Sequence, residues 1–141
     1  MDKEVKALVK KVLDYKKKAA DALANKNYRV YENSCSKVYD IEWNVCKEHG
    51  RCFGMVFSLY LDQMENGKEF IEVPSIKKMQ EYDEDVIGTF RKYDVKEFIL
   101  TDYRMTAVDD ARDFLRADWK VQKIELSDEL GTYYNYKITM A

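Results

Sequence analysis

The sequence has few residues that interrupt helices and strands: one proline and five glycines occur among its 141 residues. We therefore expect short connections between elements. No apolar run approaches the roughly 18 residues that a membrane-spanning helix needs. The N-terminal stretch MDKEVKALVKKVLDYKKK is charged throughout, whereas a signal peptide would carry an apolar block. These absences predict a protein with no membrane partner and with a cytoplasmic location.

Histidine and cysteine are also scarce, with one and three residues respectively. An odd number of cysteines makes a poor disulfide framework, which agrees with a reducing cytoplasm. A single histidine argues against a Ser–His or Cys–His nucleophile. No carboxylate lies in an apolar run where burial would raise its pKa. We therefore predict no catalytic residue and no cofactor and favour a non-enzymatic protein, while the sequence leaves acid–base chemistry through Asp, Tyr or Lys open.

Cys46, His49 and Cys52 follow one another at intervals of three residues in VCKEHGRC, a spacing that suggests a metal site. A structural zinc ion needs four ligands. Cys35 does not qualify as the fourth, because it lies eleven residues before Cys46 on the same predicted helix, about 16 Å away by helical rise. No acidic ligand is indicated either. We therefore interpret the segment as a helix end, with the cysteines in apolar space, and predict no metal site.

The net charge is −2, but the positive charge is concentrated in residues 1–29, which carry nine Lys or Arg against four Asp or Glu. Lys16, Lys17 and Lys18 form the densest basic run, a candidate contact for phosphate or an acidic partner. Such runs are more often a solvated helix face. Because the rest of the chain is mildly acidic, broad nucleic-acid binding is disfavoured.

The first half of the chain reads as helical. Residues 3–24 and 28–49 each carry apolar residues at intervals of three and four, which predicts two helices. The apolar stripe of the second helix consists of Tyr31, Cys35, Val38, Ile41 and Val45. Asn25 or Asn27 can cap the second helix, and Gly50 can end it. The short connection predicts an antiparallel helical hairpin.

Residues 52–65 fit either a helix or a strand, and we favour the helix. Residues 75–93 predict one further helix after Pro74, because their apolar residues again recur at helical spacing.

The second half alternates between strand and helix patterns. Residues 95–101 predict a buried strand, and Thr106 followed by Asp109 has the pattern of a capping box at a helix start. Residues 119–126 and 132–140 predict two further strands joined by the turn SDELG. The first two strands should be parallel neighbours in a right-handed crossover, with the last strand added at the edge by a hairpin.

Together these patterns predict an α+β (or α/β) fold in a single domain. It comprises a helical hairpin (1–50), a helical or mixed connecting region (51–93) and a β-α-β-β unit (94–141). The helices should pack on a small mixed sheet of three or four strands.

The loop TDYRMT, residues 101–106, is a candidate ligand-binding site. It follows a predicted parallel strand and leads into a helix, where free backbone N–H groups favour anions. Asp102, Arg104 and Thr106 would be its polar contacts. However, Asp109 and Asp110 in the first helical turn would repel an anion, and no glycine-rich phosphate loop is present.

Tyrosine is abundant, with eleven residues. Tyrosine is enriched at protein interfaces because it combines a large ring with a polar tip. Tyr133, Tyr134 and Tyr136 lie on the last predicted strand and place rings on both of its faces. An exposed edge with these residues would bind another strand or form a homodimer. In the alternative interpretation Tyr134 and Tyr136 belong to the core and Tyr133 is a lone surface ring.

The leading functional hypothesis is a small non-enzymatic interaction module that docks on another protein, alone or as a homodimer. A narrower version is a phage or mobile-element inhibitor that blocks a host nucleic-acid-handling protein. One alternative is a ligand-binding or enzymatic α/β domain that uses the 101–106 loop. The other is a weak nucleic-acid binder that uses the N-terminal lysine helix.

Overall fold

The computed structural model describes residues 1–74, 76–81, 83, 85–101 and 106–140. These residues form six helices and four strands. In chain order the elements are α1 (Lys3–Ala24), α2 (Tyr28–His49), α3 (Arg51–Glu65), β1 (Ile71–Val73), α4 (Ile76–Gln80), α5 (Val86–Lys92), β2 (Glu97–Leu100), α6 (Thr106–Arg116), β3 (Lys120–Asp128) and β4 (Gly131–Thr139).

The three N-terminal helices begin and end at polar residues and glycine. The Asp2 carboxylate accepts hydrogen bonds from the N–H groups of Glu4 and Val5, at 2.9 and 3.1 Å, and so caps α1. Asn27 caps α2 in the same way. Gly50 is the single residue between α2 and α3, and its φ of 93° lies in the region that favours glycine. The two predicted helices and the helical reading of residues 52–65 are confirmed.

The predicted helix over residues 75–93 is wrong, because the structure has two shorter helices, α4 and α5, in this stretch. Acidic side chains between them bond to the backbone instead of continuing the helix. Asp83 accepts from the N–H of Asp85 at 3.0 Å, and Asp85 accepts from the N–H of Gly88 at 2.9 Å. Aspartate competes in this way with helical hydrogen bonding and favours caps.

The sheet has the order β1-β2-β4-β3, with β1 parallel to β2 and β4 antiparallel to both of its neighbours. The chain order of strand, helix, strand, strand at the C-terminus is as predicted, and the fold is α+β with a mixed sheet. The prediction that β2 and β3 are neighbours is wrong. They run in the same direction, but β4 lies between them.

Strand β4 is paired with a neighbouring strand on both of its sides. Ile138 pairs with Phe98 of β2 on one side and with Val121 of β3 on the other, and it is fully buried. At an edge this strand would form hydrogen bonds on one side alone. The prediction that the last strand forms an edge is therefore wrong, and the edge strands are β1 and β3.

One face of the sheet carries the core. Alternation along the strands places Ile71, Val73, Phe98, Leu100 and Ile138 on this face, and all five are buried. Helices α3, α5 and α6 contribute apolar side chains to the same core. At its centre four rings contact one another, with centroid distances of 5.0 to 6.3 Å, and they belong to Phe90, Phe98, Phe114 and Trp119.

The opposite face, which we call the open sheet face, has no fully buried apolar residue among those described. Its apolar side chains are half-buried and do not join the core; they are Phe70, Ile99, Ile124, Leu126 and Tyr133. The helices therefore lie in a layer on the other side of the sheet. Within the described ranges, no helix combines the length and the apolar character that a bilayer crossing requires.

Truncation of one core ring gives a direct test of this packing. Phe114 is fully buried among three other rings, so Phe114→Ala should lower the free energy of unfolding by about 3–5 kcal/mol. Leu115 is the next residue on the same helix and is 60% exposed. Leu115→Ala should change the free energy by no more than about 0.5 kcal/mol. Equal losses for the two variants in urea denaturation would contradict the orientation of α6.

Candidate functional site

Helix α2 is exposed to an unusual degree for its length. Of its 22 residues, Ser34 and Val45 alone are buried, whereas α1, also 22 residues long, has five buried residues. The predicted apolar stripe of α2 does face its neighbours, but Cys35, Val38 and Ile41 are half-buried. Helix α2 is therefore the outer helix of the layer, and much of its apolar surface remains accessible.

Tyr39 and Trp43 form a stacked aromatic pair on this exposed surface. Their ring centroids are 5.6 Å apart and their planes differ by 15°. Residues four apart on a helix are neighbours on its surface, which brings the two rings together. Trp43 is 72% exposed and Tyr39 is 60% exposed. The pair therefore presents two large rings to solvent in a defined orientation.

An apolar groove of about 380 Å³ lies beside this pair, between α1 and α2. Residues late in α1 face residues early in α2, as expected for antiparallel helices. Alanines on the α1 side leave space that longer side chains would fill, and tyrosines form walls on the α2 side. The residues that line this α1–α2 groove are Lys16, Ala19, Ala20, Tyr31, Cys35, Val38, Tyr39 and Glu42.

Lys16 closes one end of the groove with an ion-pair network. Its ammonium group lies 2.7 Å from the Glu65 carboxylate of α3 and 3.5 Å from the Glu42 carboxylate of α2. Partial burial alone would lower the pKa of Lys16, but the two carboxylates outweigh it and raise the pKa above its usual value. Lys16 thus joins the three N-terminal helices electrostatically.

The three predicted basic residues do not share one surface. Lys17 and Lys18 are exposed, while Lys16 is half-buried and engaged with glutamates. Successive helical residues point about 100° apart, so the three side chains diverge around α1. Nucleic-acid binding through this helix stays a prediction.

Tyr31 and Cys35 lie about one helical turn apart on the α2 side of the groove. A hydrogen bond with the Cys35 thiol raises the pKa of Tyr31. The Tyr31 hydroxyl therefore has the neighbouring thiol as a partner on the α2 side of the groove.

The segment VCKEHGRC forms the junction of α2 and α3, as interpreted from the sequence. The His49 ring stacks on Phe53 with centroids 4.5 Å apart. Cys35 and Cys52 are half-buried, whereas Cys46 is exposed as a whole residue and packs only through its sulfur, so the prediction that the cysteines fill apolar space holds in part. Within the described residues, no three His, Cys, Asp or Glu side chains are grouped to hold a metal ion.

Gly54 lets the junction close. A Cβ at this position would overlap the Cys46 sulfur, so glycine allows α3 to approach α2 closely. The sulfur of Cys46 is thus held in a packing role although its residue is exposed.

Most of the predicted ligand loop lies outside the described residues, including Asp102 and Arg104. Thr106 is the first residue of α6, as predicted. The two nearby carboxylates have local partners: Asp109 pairs with Arg112 at 3.2 Å, and buried Asp110 accepts a hydrogen bond from the N–H of Ile76 at 3.3 Å. The ligand-binding hypothesis stays a prediction.

The three tyrosines of the last strand have different environments. Tyr136 packs against the core on the helix-covered face. Tyr134 is 36% exposed, with the Lys123 ammonium 4.9 Å above its ring. Tyr133 is half-buried on the open sheet face. Because β4 is an internal strand, these residues do not present the free edge that the sequence suggested.

The Tyr39–Trp43 pair was not predicted from the sequence. The predicted apolar stripe of α2 includes Tyr31 and Val38, and the two rings lie beside that stripe. Two aromatic residues four apart and off the core-facing stripe are the signal that would have identified the pair.

Comparison with known proteins does not assign the chain to a family. No protein family, no curated protein and no solved structure matches the chain.

Because of the ion-pair network around Lys16, the free energy of unfolding should depend on pH in the alkaline range. Because the pKa of Lys16 is raised in the folded state, its contribution is fully present below the unfolded pKa of about 10.4 and is lost as pH rises through the folded pKa. The free-energy difference between wild type and Lys16→Met should be constant from neutral pH to about pH 10 and then shrink.

Lys17→Met is the matched control, because Lys17 is an exposed neighbour. Its difference from wild type should show no such decline in chemical denaturation at the same pH values. If the free-energy difference between wild type and Lys16→Met grows above about pH 10, the pKa of Lys16 is not raised in the folded state and the prediction is wrong.

Proposed function

We propose that the protein is a small docking module that binds another protein through the Tyr39–Trp43 pair and the α1–α2 groove. The observation that carries this proposal is the 72% exposure of Trp43 beside an apolar groove. Tryptophan and tyrosine dominate the energetics of protein interfaces, because they bury large apolar areas at low conformational cost. Because both rings are exposed in the free protein, they are available to be buried against a partner.

The groove suits an amphipathic helix. It runs between two antiparallel helices, and it has a small-residue side at Ala19 and Ala20 and an apolar wall at Val38 and Tyr39. Helical partners commonly lay an apolar stripe into such grooves, with anchor residues three and four positions apart. Trp43 stacks on Tyr39, which lines the groove, and would add a second ring to the contact with such a helix.

The polar residues around the groove agree with binding rather than chemistry. Lys16 at one end of the groove is paired with Glu42 and Glu65, so its ammonium group does not enter the apolar part unpaired. The Tyr31 hydroxyl already has the Cys35 thiol as a partner within the groove. Apolar contact with a charged rim is the general arrangement of protein interfaces.

The narrower expectations from the sequence remain predictions. They are a cytoplasmic location and an inhibitor role encoded by a phage or mobile element. The docking proposal requires neither of them.

Affinity purification from the native host tests the proposal. Trp43→Ala should abolish or strongly reduce capture of the partner, whereas Tyr28→Ala, which removes another exposed ring from the same helix, should not. Ala20→Arg should also reduce capture, because its long side chain would occupy the groove. Trp43→Ala should change the free energy of unfolding by only about 0.5 kcal/mol, so lost capture would not reflect unfolding.

Tyr133→Ala separates this surface from the one suggested by the sequence. If Tyr133→Ala abolishes capture while Trp43→Ala leaves it intact, docking occurs at the C-terminal strands and the proposal is wrong.

A further inference from the structure

Strand β3 is a long edge strand. It spans nine residues, Lys120–Asp128, and pairs with β4 along one side. On its other side no strand lies among the described residues. The opposite edge strand, β1, has three residues. A row of unpaired N–H and C=O groups of this length is a template for pairing with another strand.

The charges of β3 divide along its length. Lys120 and Lys123 lie in the first half, and Glu125 and Asp128 lie in the second half. Among the described residues, none of the ion pairs involves these four side chains. A strand that is basic at one end and acidic at the other is complementary to a reversed copy of itself.

We propose that β3 pairs antiparallel with β3 of a second copy of this chain, about a two-fold axis at Ile124. In this register Lys123 lies opposite Glu125 of the second copy, and Lys120 lies opposite its Asp128. The two-fold symmetry repeats both contacts, which gives four ion pairs. Opposite charges directly across an antiparallel pair are stabilising, and like charges are destabilising.

The symmetry leaves few other registers. A two-fold axis perpendicular to the sheet keeps every side chain on its own face, so residues with the same parity must lie opposite each other. An axis at Lys123 or Glu125 would place two like charges together at the centre. An axis at Gln122 or Leu126 would place Lys120 or Asp128 opposite Ile124. The Ile124 register is the one that pairs both lysines with acids.

Pairing at Ile124 also joins the two open sheet faces. Ile124 is half-buried and lies on that face next to Leu126. In the dimer it would contact Ile124 of the second copy, and an eight-stranded sheet would result. The residues of the α1–α2 groove are not on β3, so both grooves would remain available. The inference is therefore independent of the proposed docking function.

Edge charges also serve a different purpose in many proteins, where lysines prevent strand pairing. Charge exchange distinguishes the two roles. In the proposed dimer, Lys123→Glu places a glutamate opposite Glu125, and Glu125→Lys places a lysine opposite Lys123. The double variant Lys123→Glu/Glu125→Lys restores opposite charges across the axis. Both side chains are exposed in the single chain, so all three variants should fold.

Sedimentation equilibrium over a concentration series provides the measurement. The wild type should form a dimer, each single variant should weaken the dimer at least about tenfold, and the double variant should return to within about threefold of wild type. A wild type that stays monomeric up to about 1 mM overturns the proposal. Single variants that dimerise like wild type, or a double variant that is not restored, equally overturn it. Circular dichroism of each variant verifies folding.

Discussion

The structure depends on the insertion of β4 between β2 and β3. Ile138 of β4 lies between Phe98 and Val121 and is fully buried at the base of the aromatic cluster. A strand in this position forms backbone hydrogen bonds on both sides and contributes its apolar face to the core. Because β4 separates β2 from β3, α6 must span two strand spacings, roughly 10 Å, to connect them.

Two surface features follow from this arrangement. With β4 inside the sheet, β3 becomes an edge along its whole length. On the helical side, α1 and α3 carry most of the buried apolar residues, and α2 is left outside them. The α1–α2 groove and the exposed edge of β3 are thus consequences of how the core is built, and they lie on different elements. The chain therefore has two separate exposed surfaces, one on the helical layer and one at the sheet edge.

The sequence predicted the elements well where local patterns were strong. Long apolar stripes and capping residues predicted α1 and α2, and Asn27 and Gly50 marked the two ends of α2. The break between α4 and α5 was missed, because Asp83 and Asp85 act through backbone hydrogen bonds that the apolar spacing does not reveal. Local competition of this kind is a common reason why a continuous stripe is not a continuous helix.

The position of β4 was also missed, for a different reason. Chain order favours the pairing of consecutive strands and a simple crossover, and nothing in the alternation of β4 says whether one or both of its edges are bonded. The candidate site could not be predicted for the same reason, because local patterns do not show which elements lie side by side. The sequence shows that tyrosine is abundant and that three tyrosines lie on β4, but the exposure of these three depends on which strands lie beside β4. The exposure of Trp43 depends on how α2 packs on α1 and α3, which is a tertiary property.

The most direct test of the account is a nuclear Overhauser measurement between strand backbones in the isolated protein. The structure predicts contacts from Ile138 to both Phe98 and Val121. Backbone contacts directly between Phe98 and Val121, with Ile138 contacting only one of them, would show that β2 and β3 are neighbours and would contradict the account.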